Sequence, residues 1–302
     1  MAKSFNSKLN NILKIVTVAL CVAVTFVSII AIDRSAYNFT GRSTNKSNSF
    51  IRMIDVGQGD SILLYSNGYS ALIDTGPAEN SEDLVADLHS IGIDVIDVLI
   101  LSHLHIDHTG GVTDLYNNFQ IENLILPGLS TFSEGIYSAQ FAIDKMTRNG
   151  KGVYSAKEGM EFSLGEIDVE IVASYFDSDN ENNRSLIIKA LLDGKSFLFT
   201  GDAEKETEKL LIKENKNIDC DVLKVGHHGS NSSTTKDFLE IATPEIALIS
   251  VGKNNIYHHP HYATTKLLKD FGCKIYRTDK DGNITVKVVN NKIKVEKNNL
   301  QN

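Results

Sequence analysis

Ten residues, SHLHIDHTGG from Ser102 to Gly111, restrict what this chain can fold into more than any other stretch. Four side chains with metal-binding atoms, His103, His105, Asp107 and His108, fall within six positions, directly after the apolar run Val95-Ile96-Asp97-Val98-Leu99-Ile100-Leu101. Such a run reads as a buried strand. A chain that curls where a strand stops can turn these ligands into one volume, which a single helical face would not do. Imidazole and carboxylate suit zinc, manganese or iron, so the residues define the donor set more closely than the metal. Three of the chain's nine histidines beside an aspartate, just before Gly110-Gly111, are too dense for an incidental polar turn.

Strand and helix patterns flank this stretch on both sides. Ile51 to Val56, Ser61 to Tyr65 and Ser70 to Asp74 read as strands of an antiparallel meander, joined by the turns Gly57-Gln58-Gly59-Asp60 and Asn67-Gly68. Ser81 to Ile91 carries apolar residues three and four apart, with Ser81 as cap, Glu82 and Asp83 in the first turn, and Gly92 as the stop of a predicted helix. The alternation continues with a helix from Val112 to Phe119, a strand from Ile121 to Leu126, a helix from Ser138 to Asn149, and short strands between Val153 and Val172. In a second cycle, Ser185 to Lys189 and Ser196 to Thr200 form a hairpin about Asp193-Gly194 that closes on Thr200-Gly201-Asp202. Ala203 to Asn215 is predicted helical, and Asp221 to Val225 is a strand running straight into Gly226-His227-His228-Gly229-Ser230. Histidine and aspartate thus recur where apolar strands stop, which is where layered α/β proteins gather their ligands.

The amino terminus is a different polymer. Lys3, Lys8 and Lys14 precede Ile15 to Ile32, 18 residues without charge that end at Asp33-Arg34. That reaches the roughly 18 residues of a membrane span. The run is longer than the core of a cleavable signal, and Ile29-Ile30-Ala31 is a poor exit, so residues 1–34 read as a cytoplasmic stub and uncleaved signal-anchor. The lysines put the amino end in the cytoplasm and the rest of the chain outside, as a single-pass protein; a cleaved signal and secretion are the alternative. Residues 35–49, rich in Asn, Ser and Thr, read as a linker, which leaves 50–302 for the folded domain. Without the three lysines of the first 32 residues, the net charge of −8 becomes −11, which argues against a broad basic surface for sequence-blind nucleic-acid binding. Cys220 and Cys273, beside strand-like segments, read as buried thiols rather than a disulfide.

The segments IDVGQGDSILL, LIDTG, LSHLHIDHTGG, NNRSLIIKALLDGKSFLFTGDAE, DVLKVGHHGSNSSTT, and SVGKNNIYHHPH with YRTDKDGNI resemble the metallo-β-lactamase-fold hydrolases. Among these they look most like the hydrolase domain of ComEC-type competence proteins. LKVGHHGSNSSTTKDF is also similar to secreted phosphorylcholine esterases of that superfamily. The resemblance implies an α/β fold, a four-layer αββα sandwich of two similar halves. It also implies two divalent ions, Zn2+ or Mn2+, with His103 and His105 on one, Asp107 and His108 on the other, and Asp202 bridging. The second ion would be completed by His227, with His228 as the alternative ligand or a contact to substrate. Asp107, Asp202 and His228 are catalytic in this reading, with metal-bound hydroxide as nucleophile. Where many members place a third histidine on the first ion, this chain has Asn182-Asn183-Arg184-Ser185. Either Asn183 supplies a weak oxygen, or that position is open to water or substrate, or the first ion is held loosely. A full competence protein carries many membrane spans, whereas one apolar run is found here.

Two bridged cations suit displacement at phosphorus. The expected function is therefore a membrane-anchored, extracytoplasmic phosphodiesterase or nuclease, with DNA or a cell-wall polymer as the phosphodiester. Its rivals are a non-catalytic metal-binding module with a degenerate first site, and a thioester or β-lactam hydrolase. Asp55 and Asp60 read as ordering their glycine turn, with support of the ligand histidines as the alternative, and Asp74 reads as structural. His258, His259 and His261 read as a surface turn, which the resemblance places near the mouth of the site. Ser230, Ser232 and Ser233 fit helix capping as well as phosphate binding.

Overall fold

Alternation along the strands sets the layers. In the Ile62–Ser66 strand, Ile62 and Leu64 face one side together with Ile51, Met53, Ala71 and Ile73, while Leu63 faces the other with Phe50 and Leu72. A sheet with two apolar faces must be covered twice. The computed structural model describes residues 37–39, 48–128, 133–175 and 177–298. The chain divides into two compact units, 1–33 and 34–302, and the described residues all belong to the second.

Two eight-stranded sheets form the centre. The first runs, edge to edge, Lys292–Asn298, Asn283–Val289, Ser49–Met53, Ile62–Ser66, Tyr69–Ile73, Val98–Ile100, Asn123–Leu126 and Gly152–Ser155. The second runs Tyr37–Phe39, Met160–Leu164, Ile167–Ala173, Ile187–Leu192, Lys195–Phe199, Val222–Lys224, Ile246–Ile249 and Lys274–Arg277. Their inner faces share one core, in which Ile51, Leu64 and Ile100 of the first sheet join Phe162, Ile188 and Phe199 of the second. Outside the first sheet, Leu84 and Leu88 of helix Ser81–Ile91 and Ala139 and Ala142 of helix Ile136–Arg148 pack on Leu63, Leu99 and Leu124. Outside the second, Leu211, Phe238 and Leu268, each from a different helix, pack on Leu198, Leu223 and Ile249. The layers are therefore helix, sheet, sheet, helix, and the fold is the mixed α/β sandwich expected.

Each sheet changes from antiparallel to parallel pairing part-way across. Ala71–Ile73 pairs in parallel with Val98–Ile100, and Phe197–Phe199, Val222–Lys224 and Ile246–Leu248 pair in parallel with one another. Parallel strands end on the same side. Asp74, Ser102-His103, Thr200-Gly201-Asp202 and the His227-His228 turn follow these ends, so topology alone delivers the aspartates and histidines to one rim.

Two local expectations change. Ser81 does not cap its helix: the 3-10 turn Ala78–Asn80 runs directly into it, so Ser81 lies inside, with its Oγ donating to the Ala78 carbonyl and pairing with Asp114. Within the stretch read as a linker, Tyr37–Phe39 pairs in parallel with Phe162–Leu164, because an edge strand offers unpaired backbone groups to any extended neighbour. Cys220 and Cys273 are free and buried, as expected. The apolar run 15–32 lies outside the described residues, and among the described residues no helix is long and apolar enough to cross a membrane.

Candidate metal centre

The histidine stretch is shaped by what lies under it. After Leu101 the chain leaves its strand, and His105 precedes a single helical turn, Ile106–Thr109. Asp74 fixes the departure. One of its carboxylate oxygens accepts from Ser102 N at 2.7 Å, and the other accepts from Ser102 Oγ at 2.6 Å and from His108 Nδ1 at 2.8 Å. The glycine turn packs from the other side, where a Cβ on Gly59 would stand 2.2 Å from the Asp107 carbonyl oxygen, so no larger residue fits.

Four donors converge. Asp107, His108, Asp202 and His228 each offer one ligand atom, and these atoms lie within 4.8 Å of one another. His108 Nε2 is 3.4 Å from Asp202 Oδ1, and His228 Nε2 is 3.3 Å from Asp107 Oδ2 and 3.4 Å from Asp202 Oδ2. The outer nitrogens of both imidazoles are committed elsewhere: His108 Nδ1 donates to Asp74, and His228 Nδ1 donates to the Ser250 carbonyl at 3.0 Å. That turns both Nε2 atoms inward, the arrangement by which proteins orient imidazole ligands. His108 Nε2 and Asp202 Oδ1 are buried without a hydrogen-bond partner of proper geometry. Buried polar atoms rarely go unpaired, and an oxygen-nitrogen set of this size fits a divalent cation.

His103 and His105 stand beside this group. His103 Nε2 and His105 Nδ1 are 3.2 Å apart, as two nitrogens aimed at one point would be, and Ser102 Oγ, which donates to Asp74, accepts from His103 Nδ1 at 3.2 Å. They join no compact set of three or more donors among the described residues. Asn183 is not free to help, because its Oδ1 already accepts from Glu204 N and Thr207 Oγ1. The unpartnered oxygen is the neighbouring one, Asn182 Oδ1. Of the adjacent histidines, His228 enters the four-donor group. His227 Nε2 is 3.8 Å from Asp202 Oδ2, and its Nδ1 is held between Ser232 Oγ and Glu204 Oε1 at 3.1 and 3.2 Å. Both residues sit at positive φ, 48° and 53°, a backbone strain typical of functional turns. His259 lies at the rim, its ring 5.4 Å from that of His227 and 6.4 Å from that of His228, with Tyr257 stacked on it.

Within the cluster the carboxylates and imidazoles set one another's charge. Burial pushes the His108 and His228 imidazoles down, but Asp202 and the neighbouring carboxylates outweigh it and hold both well above the ordinary value. Burial pushes the Asp202 carboxyl up, and His228 with His108 hold it well below the ordinary value instead. His103 has too little carboxylate nearby, so burial, aided by the charge of His108, keeps it well below the usual range. His259 is pushed down to about 4 by burial and by His227 and His228.

The minor candidates divide. Asp55 Oδ1 accepts from Gly57 N at 3.3 Å and orders its turn. Asp60 does more, being 1% exposed and facing the site, where its carboxylate meets a residue that motif reasoning passed over, Lys224. The available signal was a lysine inside the apolar strand DVLKV directly before the two histidines. Ser233 Oγ donates to the Gly226 carbonyl, and the helix cap is Thr235, whose Oγ1 accepts from Phe238 N.

Comparison with known proteins decides the family. The model of the Metallo-beta-lactamase superfamily matches residues 54–253, which contain every residue of the four-donor group. The chain belongs to this superfamily. Its curated relatives are ComEC-type competence proteins. It is 33% identical to ComE operon protein 3 of Bacillus subtilis, covering 80% of this chain and 33% of that protein. It is 31% identical to Competence protein ComA of Neisseria gonorrhoeae, covering 76% and 30%. The chain thus spans about a third of the length of the curated relatives it matches. Among solved structures, the metallo-beta-lactamase fold protein YhfI of Bacillus subtilis has a TM-score of 0.53 at 12% identity, over 76% of this chain and 96% of that one. Zn2+-bound PqqB of Methylobacterium extorquens has a TM-score of 0.50 at 10% identity, over 76% and 87%. These two share the metallo-beta-lactamase fold with this chain.

Proposed function

We propose that this chain is a metal-dependent hydrolase of phosphodiesters. The observation that carries the reading is the complete four-donor group, Asp107, His108, Asp202 and His228, with its imidazoles oriented from behind. These residues would hold one divalent ion, Zn2+ or Mn2+, and His103 with His105 would contribute to a second, for which Asp202 is the carboxylate that could serve both. When bound, such ions supply Lewis acidity that activates water and stabilises charge developing at phosphorus. The protein's own part is to hold the ligands with their lone pairs inward and to present His227 and His259 at the open side, where a substrate oxygen can meet a ring nitrogen. The competence relatives support DNA as the polymer, and the acidic balance of the chain supports a cell-wall phosphodiester.

In the same reading residues 1–34 are a cytoplasmic stub and membrane signal-anchor, and residues 50–302 are the hydrolase domain on the outer side. A second reading, a metal-binding module without turnover, is favoured by one feature: among the described residues, His103 and His105 join no compact group of three His, Cys, Asp or Glu donors. Assay of the purified chain with Mn2+ or Zn2+ on bis-p-nitrophenyl phosphate, single-stranded DNA and a choline phosphodiester separates these readings. Hydrolysis of at least one is expected. Binding of ions with no turnover on all three would leave the module.

A further inference from the structure

The centre contains a cation of the protein's own. Lys224 ends the Val222–Lys224 strand, yet its side chain is fully buried. Its Nζ donates to the Gly201 carbonyl at 2.6 Å and to Asp60 Oδ2, and lies 3.6 Å from Asp202 Oδ1. Asp60 in turn stands 3.5 Å from His228 Nδ1 and 3.8 Å from His108 Nδ1. A buried ammonium is costly unless it is paired, and an apolar residue would fill a strand position at lower cost. The position therefore calls for an explanation beyond packing.

Three observations supply one. Asp60, Asp74 and His108 form a second compact group of possible ligands, but there Lys224 already sits on Asp60, so the fold fills that cluster itself. Asp60 and Asp202, each nearly fully buried, both face Lys224, and two groups that share His108 bring Asp74 and Asp107 beside them, so the repulsion among these carboxylates must be offset before any ion arrives. An ammonium, with three donors and no lone pair, offsets them without competing for the ion. Finally, Lys224 approaches Asp202 on Oδ1, the oxygen left without a hydrogen-bond partner.

We propose that Lys224 is a positioning residue and the built-in counter-ion of the metal centre: it holds Asp60 and Asp202 in place in the metal-free chain and, by its charge, weakens ion binding. The proposal rests on the metal-binding reading above. Its consequence is a centre that is shaped in advance and loads reversibly, so that occupancy follows the ambient ion concentration.

The test is isothermal titration of metal-stripped full-length chain with Mn2+ and with Zn2+, together with the unfolding midpoint of each metal-free protein. Four proteins are compared: wild type, Lys224→Met, Asp60→Asn, and the double variant. Lys224→Met should bind at least about tenfold more tightly than wild type, a low bound for removing a charge so near a divalent ion, while its metal-free midpoint falls. Asp60→Asn should bind at least about tenfold more weakly, and the double variant should return close to wild type, since it removes one charge of each sign. Should Lys224→Met fail to fold, the double variant against Asp60→Asn makes the same comparison, and the double variant should bind more tightly. Unchanged or weaker binding on loss of Lys224, in both backgrounds, shows a lysine that serves the fold alone and overturns the proposal. Failure of wild type to bind either ion removes the metal-binding reading itself, and wild type alone reveals that.

Discussion

His228→Ala and His227→Ala, made separately, distinguish two adjacent imidazoles that are equivalent on paper. His228 Nε2 lies 3.3 and 3.4 Å from the carboxylates of Asp107 and Asp202, and its side chain is 1% exposed. Its loss takes one donor from four. Removing a group that merely supports a ligand costs about 10- to 100-fold in metal affinity, so removing a ligand should cost at least about 100-fold, close to 2.8 kcal/mol. The same change strips the Ser250 carbonyl of its partner, for a further loss of about 1–3 kcal/mol in fold stability. His227 approaches one carboxylate at 3.8 Å, and its side chain is 23% exposed. His227→Ala should therefore change ion affinity by less than about tenfold, or 1.4 kcal/mol. Competition with a chromophoric chelator gives the affinities, and unfolding midpoints in chelator isolate the stability component. An equal or greater loss of affinity in His227→Ala than in His228→Ala would refute the assignment of the donor group.

Asp74→Asn should lower ion affinity by about 10- to 100-fold by the same titration, because His108 Nδ1 then loses the carboxylate that turns Nε2 inward. Gly59→Ala should do likewise without touching a ligand, since its Cβ would stand 2.2 Å from the Asp107 carbonyl and must push that residue out of the group; affinity within about twofold of wild type would show that the turn yields instead. The native protein should sediment with membranes and resist alkaline extraction, with added protease cutting near residues 35–49 outside intact cells; full protection of the domain would place it inside.

The ends of strands were the legible part. Apolar runs such as Val98–Ile100 and Val222–Lys224 declare themselves by composition, and the residues that follow them must share a rim once the strands pair in parallel. His103, His105, Asp107, His108 and Asp202 could therefore be named by position. The choice between His227 and His228 could not, because it depends on a turn in which both residues take positive φ and a carbonyl, Ser250, arrives from another strand. Asp60 was half legible: its glycine turn is visible in the sequence, but the lysine it meets is 164 positions away. Whether Asn183 could lend an oxygen was illegible for a similar reason, since that oxygen is taken by the start of helix Lys205–Lys213. Pairing of Tyr37–Phe39 on the second sheet leaves no mark in a polar stretch, because it uses only backbone groups.

If the group formed by Asp107, His108, Asp202 and His228 binds the ion on which phosphodiester cleavage depends, binding and turnover must rise and fall together. Metal-stripped chain, titrated with Mn2+ while hydrolysis of bis-p-nitrophenyl phosphate is followed, tests it in one experiment. Turnover should be absent in chelator, rise in step with ion binding, and fall by at least about 100-fold in Asp202→Ala, a loss of about 2.7 kcal/mol of transition-state stabilisation. Hydrolysis that persists in chelator, or an Asp202→Ala variant that keeps more than about a tenth of the wild-type rate, would contradict it.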